Sequence, residues 1–325
     1  MKSSWSDIRS FADKTVARVY EKVRPLIDEG GDELLGTSDG GDILARIDQE
    51  SGEIIRSELT HNCPEPCSLL DEASGTLVPL HDNPTIAFTA DEFDGTRPAR
   101  MKIPTNAICL AAFGLDQEPV LRNVKAGAMH LMTGERFSFE RGAGIWRDGT
   151  SWQPPSGSSP LEKLRFSFDI AGGHPVLANW YLLPFASSHR YGVNVLASSA
   201  YVCSRILVGG IDFYIHLSKR LERDWPELAA TMRNWHQGAI GQYAWDLATT
   251  MPLMWEAGII ATHTDGSSLE NVRIDDGSPA NVHDVLVART PEVHAHVLGR
   301  VGRQIQLLYS NRRDLLDLFE RTSPA

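Results

Sequence analysis

Long apolar runs are missing from this 325-residue sequence. The most apolar stretch, Ala107 to Leu115, is less than half of the roughly 20 residues that a membrane-spanning helix needs. The opening MKSSWSDIRSFAD turns polar and charged before an apolar leader segment can develop, so the expected compartment is cytoplasmic and no membrane is expected as a partner. Cysteine is scarce: Cys63, Cys67, Cys109 and Cys203 are too few and too scattered for a disulfide framework. Cys63 and Cys67, in HNCPEPC, lie near His61 and make up three zinc-type donors. No second Cys/His cluster follows at zinc-site spacing, which favours a proline-stiffened loop with two ordinary thiols. Positive charge is also short. Thirty-one Lys and Arg against 42 Asp and Glu leave a net charge of −11, unsuited to a surface that neutralises a nucleic acid polymer. The glycines Gly142 and Gly144 lack the third glycine of a dinucleotide fingerprint, and neither a P-loop nor a G-x-S-x-G sequence occurs.

What remains is an ordinary globular composition with room for one large or two medium domains. Ile8, Phe11, Ala12, Val16, Val19, Tyr20 and Val23 recur at helical spacing, with Pro25, Gly30 and Gly31 marking the end. A second helical pattern places Ile43, Ile47, Ile54, Ile55 and Leu59 on one side despite Gly52. Thr85 to Ala90 reads as a buried strand. NAICLAAF, VKAGAMHLM, RFSFER and GIWRDG follow as β-rich stretches, with a hairpin turn expected at Thr133-Gly134-Glu135. The Pro- and Ser-rich stretch 153–160 is the strongest linker signal, dividing an N-terminal α+β domain (1–155) from a C-terminal α/β domain (156–325). Beyond it LRFSFDI, VNVLA, DFYIHL and VLVA read as short strands among helical patterns, one helix starting near Ser199 and another at Pro291 behind a Thr290 cap.

The sharpest chemical signal is Asp91-Glu92-Phe93-Asp94-Gly95-Thr96, at the end of the expected strand. Two carboxylates three residues apart on a turn can converge on a hard cation, joined by the carbonyl between them. Gly95 lets the backbone approach an anion, and the amides of Gly95 and Thr96 suit a phosphate. An ordinary surface turn is the plainer alternative for such residues.

With an Asp-Glu pair about twenty residues upstream and Trp245-Asp246 far downstream, the motif resembles that of the inositol monophosphatase superfamily, which includes fructose bisphosphatases and nucleotide 3′-phosphatases. GERFSFERGAGIWRDG, SSAYVCSRILVGGIDFY and AWDLATTMPLMWEAGIIATHTDG resemble further family segments in the same order, so the likeness covers most of the chain. It implies an α/β layered fold, an alternating α-β-α-β-α sandwich. It also implies a magnesium-dependent phosphoric monoester hydrolase that uses two or three ions, acts on a small phosphorylated substrate and forms a homodimer. By the same resemblance Glu72, Asp91 and the Phe93 carbonyl would hold one Mg2+, and Asp91, Asp94 and Asp246 a second. Asp48 and Thr96 would orient the attacking water, while Gly95, Thr96, Ser199 and Ala200 would face the substrate. Asp71 competes with Glu72 for its role. Asp246 also suits a helix N-cap, alone or together with a ligand role, and a capping role explains Ser199 equally well.

The pattern also departs from the family's. Glu92 stands where a proline is usual and is expected to face solvent, and a lysine common before the Asp42 region is missing. The segment 218–242 is longer than in a simple inositol monophosphatase, and Ala239 replaces a sugar-contacting glutamate. Lys219, Arg220, Arg223, Arg233, Trp225, Trp235 and His236 in that segment would suit a bisphosphate or nucleotide, yet Trp225, Leu228, Met232 and Trp235 also form an amphipathic face fit for packing. Arg97, Arg100 and Lys102 follow the acidic motif, either to hold phosphate or to balance its charge. Two alternatives to an inositol phosphatase therefore stand: a fructose 1,6-bisphosphate or nucleotide 3′-phosphate phosphatase, and a metal-binding homologue that acts as an interaction protein.

Overall fold

The structure is a computed structural model, and it describes residues 3–29, 34–37, 43–169, 193–226 and 241–311. In chain order its elements begin with α1 (Trp5–Val23), α2 (Leu26–Glu29), β1 (Leu34–Thr37), β2 (Ile43–Ala45), α3 (Arg46–Asn62), β3 (Cys67–Asp71), β4 (Val78–Pro79), β5 (Ile86–Asp94) and α4 (Thr96–Arg100). Next come β6 (Ala107–Gly114), β7 (Val124–Leu131), β8 (Arg136–Glu140), β9 (Gly144–Arg147) and β10 (Thr150–Trp152). The second half holds β11 (Phe166–Asp169), β12 (Val193–Asn194), α5 (Ser199–Leu207), β13 (Phe213–His216), α6 (Ser218–Asp224), α7 (Ala244–Glu256), β14 (Ile260–Thr262), β15 (Val285–Ala288) and α8 (Pro291–Ser310).

Strands β3 to β10 form an eight-stranded sheet in the order β10-β9-β8-β7-β6-β5-β3-β4, with only β3 and β5 parallel. Strands β11 to β15 form a five-stranded sheet in the order β12-β11-β13-β15-β14. The stretch 153–160 between the two sheets carries no helix or strand. Apolar burial fixes the layering. Val16, Val19, Ile47 and Ile55 of α1 and α3 pack on Phe88, Leu110 and Ala126 from one face of the large sheet. The other face contributes Ala87, Ala111, Met129 and Phe137 to a second cluster with α5, α7 and, from the small sheet, Tyr214 and Val287. The far face of the small sheet buries Phe166, Phe213 and Leu286 against Val293, Val297 and Val301 of α8. The result is the alternating α-β-α-β-α order that the resemblance implies. The central sheet faces are dry on both sides, which explains why β5 and β6 read as continuous apolar runs rather than alternating ones.

Local signals account for most helix ends. Ser4 caps α1 in a reciprocal bond with Asp7. Thr290 Oγ1 accepts the Val293 amide at 3.2 Å, so Thr290 and Pro291 open α8 as their sequence implies. Gly142 and Gly144 belong to the β8–β9 turn, and their amides donate to the Glu256 carboxylate at 2.9 and 3.0 Å. No helix among the described residues is long and apolar enough to cross a membrane.

At one end of the small sheet the rings of His263 and His283 lie 5.5 Å apart. Burial, then the neighbouring His263, depress His283 from 6.5 to about 4, with Lys219 adding to the shift and Asp284 opposing it. The unfolded chain therefore takes up this proton first as pH falls. The stabilisation is full above about pH 6.5 and drains away on the way down to about pH 4, by at most about 3 kcal/mol. Urea unfolding across that window is expected to show a shallower pH dependence in His283→Asn than in the parent. Identical slopes would mean that another group titrates.

Candidate metal centre

The site begins with an irregularity. In a regular strand Asp91 and Asp94 would point to opposite faces, since side chains alternate with period two. The β5–β6 register shifts between Asp91 and Asp94, and a bulge of this kind re-aims the side chain that follows it. Both carboxylates thereby enter one open cleft, lined by Glu72, Asp91, Phe93, Asp94, Gly95, Thr96, Arg97, Arg100, Ala197, Trp245 and Asp246. Gly95 makes the exit from the strand with φ of +93°, and its carbonyl accepts a bond from Asn106 Nδ2. Only glycine turns there without strain.

Two helices supply two further acids by a common device. Asp48 is the third residue of α3, and its Oδ2 accepts the Ala45 amide at 2.6 Å while its Oδ1 accepts the Thr96 hydroxyl at 3.0 Å. Asp246 is the third residue of α7, and its Oδ2 accepts the Tyr243 amide at 2.7 Å. Each carboxylate satisfies an orphan amide of its own helix start and is thereby oriented. Asp246 therefore stands in the first turn of α7 and not at the cap position, and it also lines the cleft. Trp245 beside it is buried and stacks on Tyr243 at 4.5 Å.

Carboxylate oxygens of Asp91, Asp94 and Asp246 come within 4.8 Å of one another, the only such His/Cys/Asp/Glu grouping among the described residues. Burial, then the charges of Asp94 and Asp246, raise the Asp91 carboxyl well above its usual range. Burial pushes Asp94 up to about 6, although Ala200 N–H at 2.6 Å and Ser198 Oγ at 2.8 Å both donate to its Oδ2. Asp91 Oδ1 is buried and accepts no hydrogen bond. Crowded, desolvated oxygen donors with an unsatisfied lone pair fit a hard divalent cation, whose charge would relieve the repulsion.

The structure brings Glu72, Asp91, Phe93, Asp94, Gly95, Thr96 and Asp246 to this cleft, and Asp48 reaches it through Thr96. Asp71 faces elsewhere, paired with Arg56 at 2.5 Å and holding the Ser74 amide at 2.9 Å. Ser199 and Ala200 do not line the cleft. They stand behind Asp94, the Ser199 hydroxyl at 3.4 Å from its Oδ2. Ser198, not Ser199, caps α5, accepting the Tyr201 amide at 3.1 Å. Sequence reading gave Ser198 no role although it opens the SSAYVCSRILVGGIDFY segment, and it missed the cleft residue Ala197.

Glu92 corrects an expectation. It does not face solvent but is 1% exposed, on the α3 side of β5, with Oε2 accepting the Glu72 amide at 3.2 Å. Burial, then the charge of Asp71, push it up to about 8, so it is largely protonated at neutral pH. Glu92 packs against Gly52, where a Cβ would lie 3.4 Å from its Cγ and Oε1. In the described part of 218–242, Lys219 pairs with Glu222, Arg220 with Asp224, and Arg223 with Asp224 and Asp265, while Trp225 joins the small-sheet core. These residues pack; Arg233, Trp235, His236 and Ala239 lie outside the described residues. The four cysteines are free, and His61 Nδ1 is engaged by the Ser57 carbonyl at 2.9 Å.

No family model matches the chain. It is 26% identical over 275 residues to inositol monophosphatase 2 of Rattus norvegicus, covering 82% of this chain and 83% of the rat protein. Among solved structures, the inositol monophosphatase of Thermotoga maritima superposes with a TM-score of 0.65 at 18% identity, over 92% of this chain and 98% of that one. A protein described as an inositol monophosphatase and fructose 1,6-bisphosphatase superposes with a TM-score of 0.68 at 15% identity, over 91% and 99%. The two superpositions speak for the fold.

Proposed function

Because the chain belongs to the inositol monophosphatase and fructose-1,6-bisphosphatase superfamily, we propose that its acidic cleft hydrolyses a small phosphate monoester with magnesium as cofactor. The observation that carries this reading is the convergence of Asp91, Asp94 and Asp246 within 4.8 Å, in a cleft that Gly95 and Thr96 also line. Glu72, Asp91 and the Phe93 carbonyl would hold one ion, and Asp91, Asp94 and Asp246 a second. When bound, magnesium lowers the pKa of water and offsets charge on the phosphoryl and leaving oxygens.

The chain's own residues do the positioning. The Thr96 hydroxyl donates to Asp48 Oδ1, which leaves the Thr96 oxygen free to accept a hydrogen from water. Asp48 and Thr96 thus orient the attacking oxygen, a placement that by itself removes much of the entropic barrier. A water oxygen–phosphorus bond forms as the ester phosphorus–oxygen bond breaks, and a proton given up by the water is taken by the departing oxygen, releasing an alcohol and inorganic phosphate without a covalent enzyme intermediate. The amides of Gly95 and Thr96 take the phosphoryl oxygens, and Ser198, Ser199 and Ala200 fix Asp94 from behind. A homodimer is the assembly this reading carries with it.

Phosphate release should be measured with magnesium and with EDTA on inositol 1-phosphate, fructose 1,6-bisphosphate, 3′-phosphoadenosine 5′-phosphate and an aryl phosphate. Magnesium-dependent release from at least one is expected. No release from any of them, while magnesium still binds, would move the chain to the non-catalytic homologues.

A further inference from the structure

The cleft holds two cations that the hydrolytic reading leaves unused. Arg97 and Arg100 both line it, both are exposed, and they stand three positions apart on α4, where side chains are neighbours. Between them Pro98 and Ala99 are buried, which seats the short helix against the protein. Neither guanidinium bonds to or pairs with any described residue, whereas Arg56, Arg147, Arg165 and Arg205 are all matched to acids. They also make no contact ion pair with the carboxylates of their own cleft, so charge balance at close range is not their role. In a chain of net charge −11, an arginine pair beside a reactive centre that no described acid matches is suited to an anion that arrives from outside.

We propose that Arg97 and Arg100 bind a second anionic group of the substrate. This rests on the hydrolytic reading above and narrows it. The substrate class is a small phosphate monoester that carries another phosphate or a carboxylate, in preference to the phosphate of a neutral polyol. The scissile phosphate lies at Gly95 and Thr96, in the cleft that the two arginines also line.

The test compares fructose 1,6-bisphosphate and 2-phosphoglycerate, which carry a second phosphate and a carboxylate, with inositol 1-phosphate, which carries neither. The parent should show the higher kcat/KM on one or both of the doubly anionic esters, and whichever is preferred identifies the second group. Arg97→Ala and Arg100→Ala should each lower that preference about fivefold to tenfold, mainly through KM. The paired lysine variant should fall between, keeping charge but losing the planar fork. Equal losses on all three esters, or a parent that favours inositol 1-phosphate, would overturn the proposal. Calorimetric binding of fructose 1,6-bisphosphate and inositol 1-phosphate in EDTA separates the two claims. A binding preference that the double alanine variant loses supports the anion site even where no ester is hydrolysed, the result that would sink the hydrolytic reading alone. Absence of that preference in the parent, or its survival in the variant, overturns the anion site.

Discussion

Asp91→Asn is expected to lose about a thousandfold or more in turnover and yet to unfold at a higher temperature than the parent in EDTA. The two effects have one cause. Asp91 is buried, its Oδ1 has no donor, and it faces the charges of Asp94 and Asp246. An amide has the same shape, carries no charge, and can donate its N–H groups to the carboxylates beside it. Removing a buried like-charge repulsion should stabilise the metal-free protein by about 1–2 kcal/mol. The same exchange removes the carboxylate that both proposed ions share, so turnover collapses. Thermal unfolding with EDTA and with magnesium reads both halves. The parent should gain stability from magnesium and the variant should gain little. A variant less stable than the parent in EDTA, or one that keeps its turnover, would refute the shared-ligand assignment.

Gly95→Ala should be nearly as damaging by a different route. A Cβ at this position would lie 3.0 Å from Ser198 Cβ and from the Thr105 carbonyl, and 3.1 Å from Asn106 Nδ2, at a φ of +93° that a side chain rarely adopts. Backbone and a buried amide cannot yield as a flexible side chain would. The turn must shift, carrying Asp94 off the donors of α5 and Thr96 off Asp48. A loss of about 2–3 kcal/mol in stability and of about a hundredfold or more in turnover is expected. Denaturant unfolding beside phosphate release checks it. Near-parent values in both would show that the turn has slack the packing does not suggest.

Much of this arrangement was legible in the residues. The helical spacing of Ile8 to Val23, the apolar run of β6 and the DEFDGT turn each state their structure locally. Glu92 was not legible, because its environment is made by elements distant in sequence. Gly52 of α3 packs against it, and the Glu72 amide holds it from the end of a neighbouring strand. Asp71 and Glu72 look alike as a pair until Arg56, on α3, claims Asp71. The bulge that turns Asp94 toward Asp91 has no distinct signature beyond the following glycine, since register depends on the partner strand β6. Ser198 and Ser199 differ by one step, and only the actual helix start tells which of them caps.

Convergence of the acids on elements from opposite halves of the chain also sets an order of events during synthesis. Asp91 and Asp94 leave the ribosome early, on a strand that can pair with β3 and β6 while the rest is still being made. Asp246 joins them only when α7 has packed across β5, after the linker and most of the second half have emerged. Until then the first two carboxylates lack the neighbour whose charge crowds them. A nascent chain therefore lacks the grouping of Asp91, Asp94 and Asp246 that the finished protein brings together.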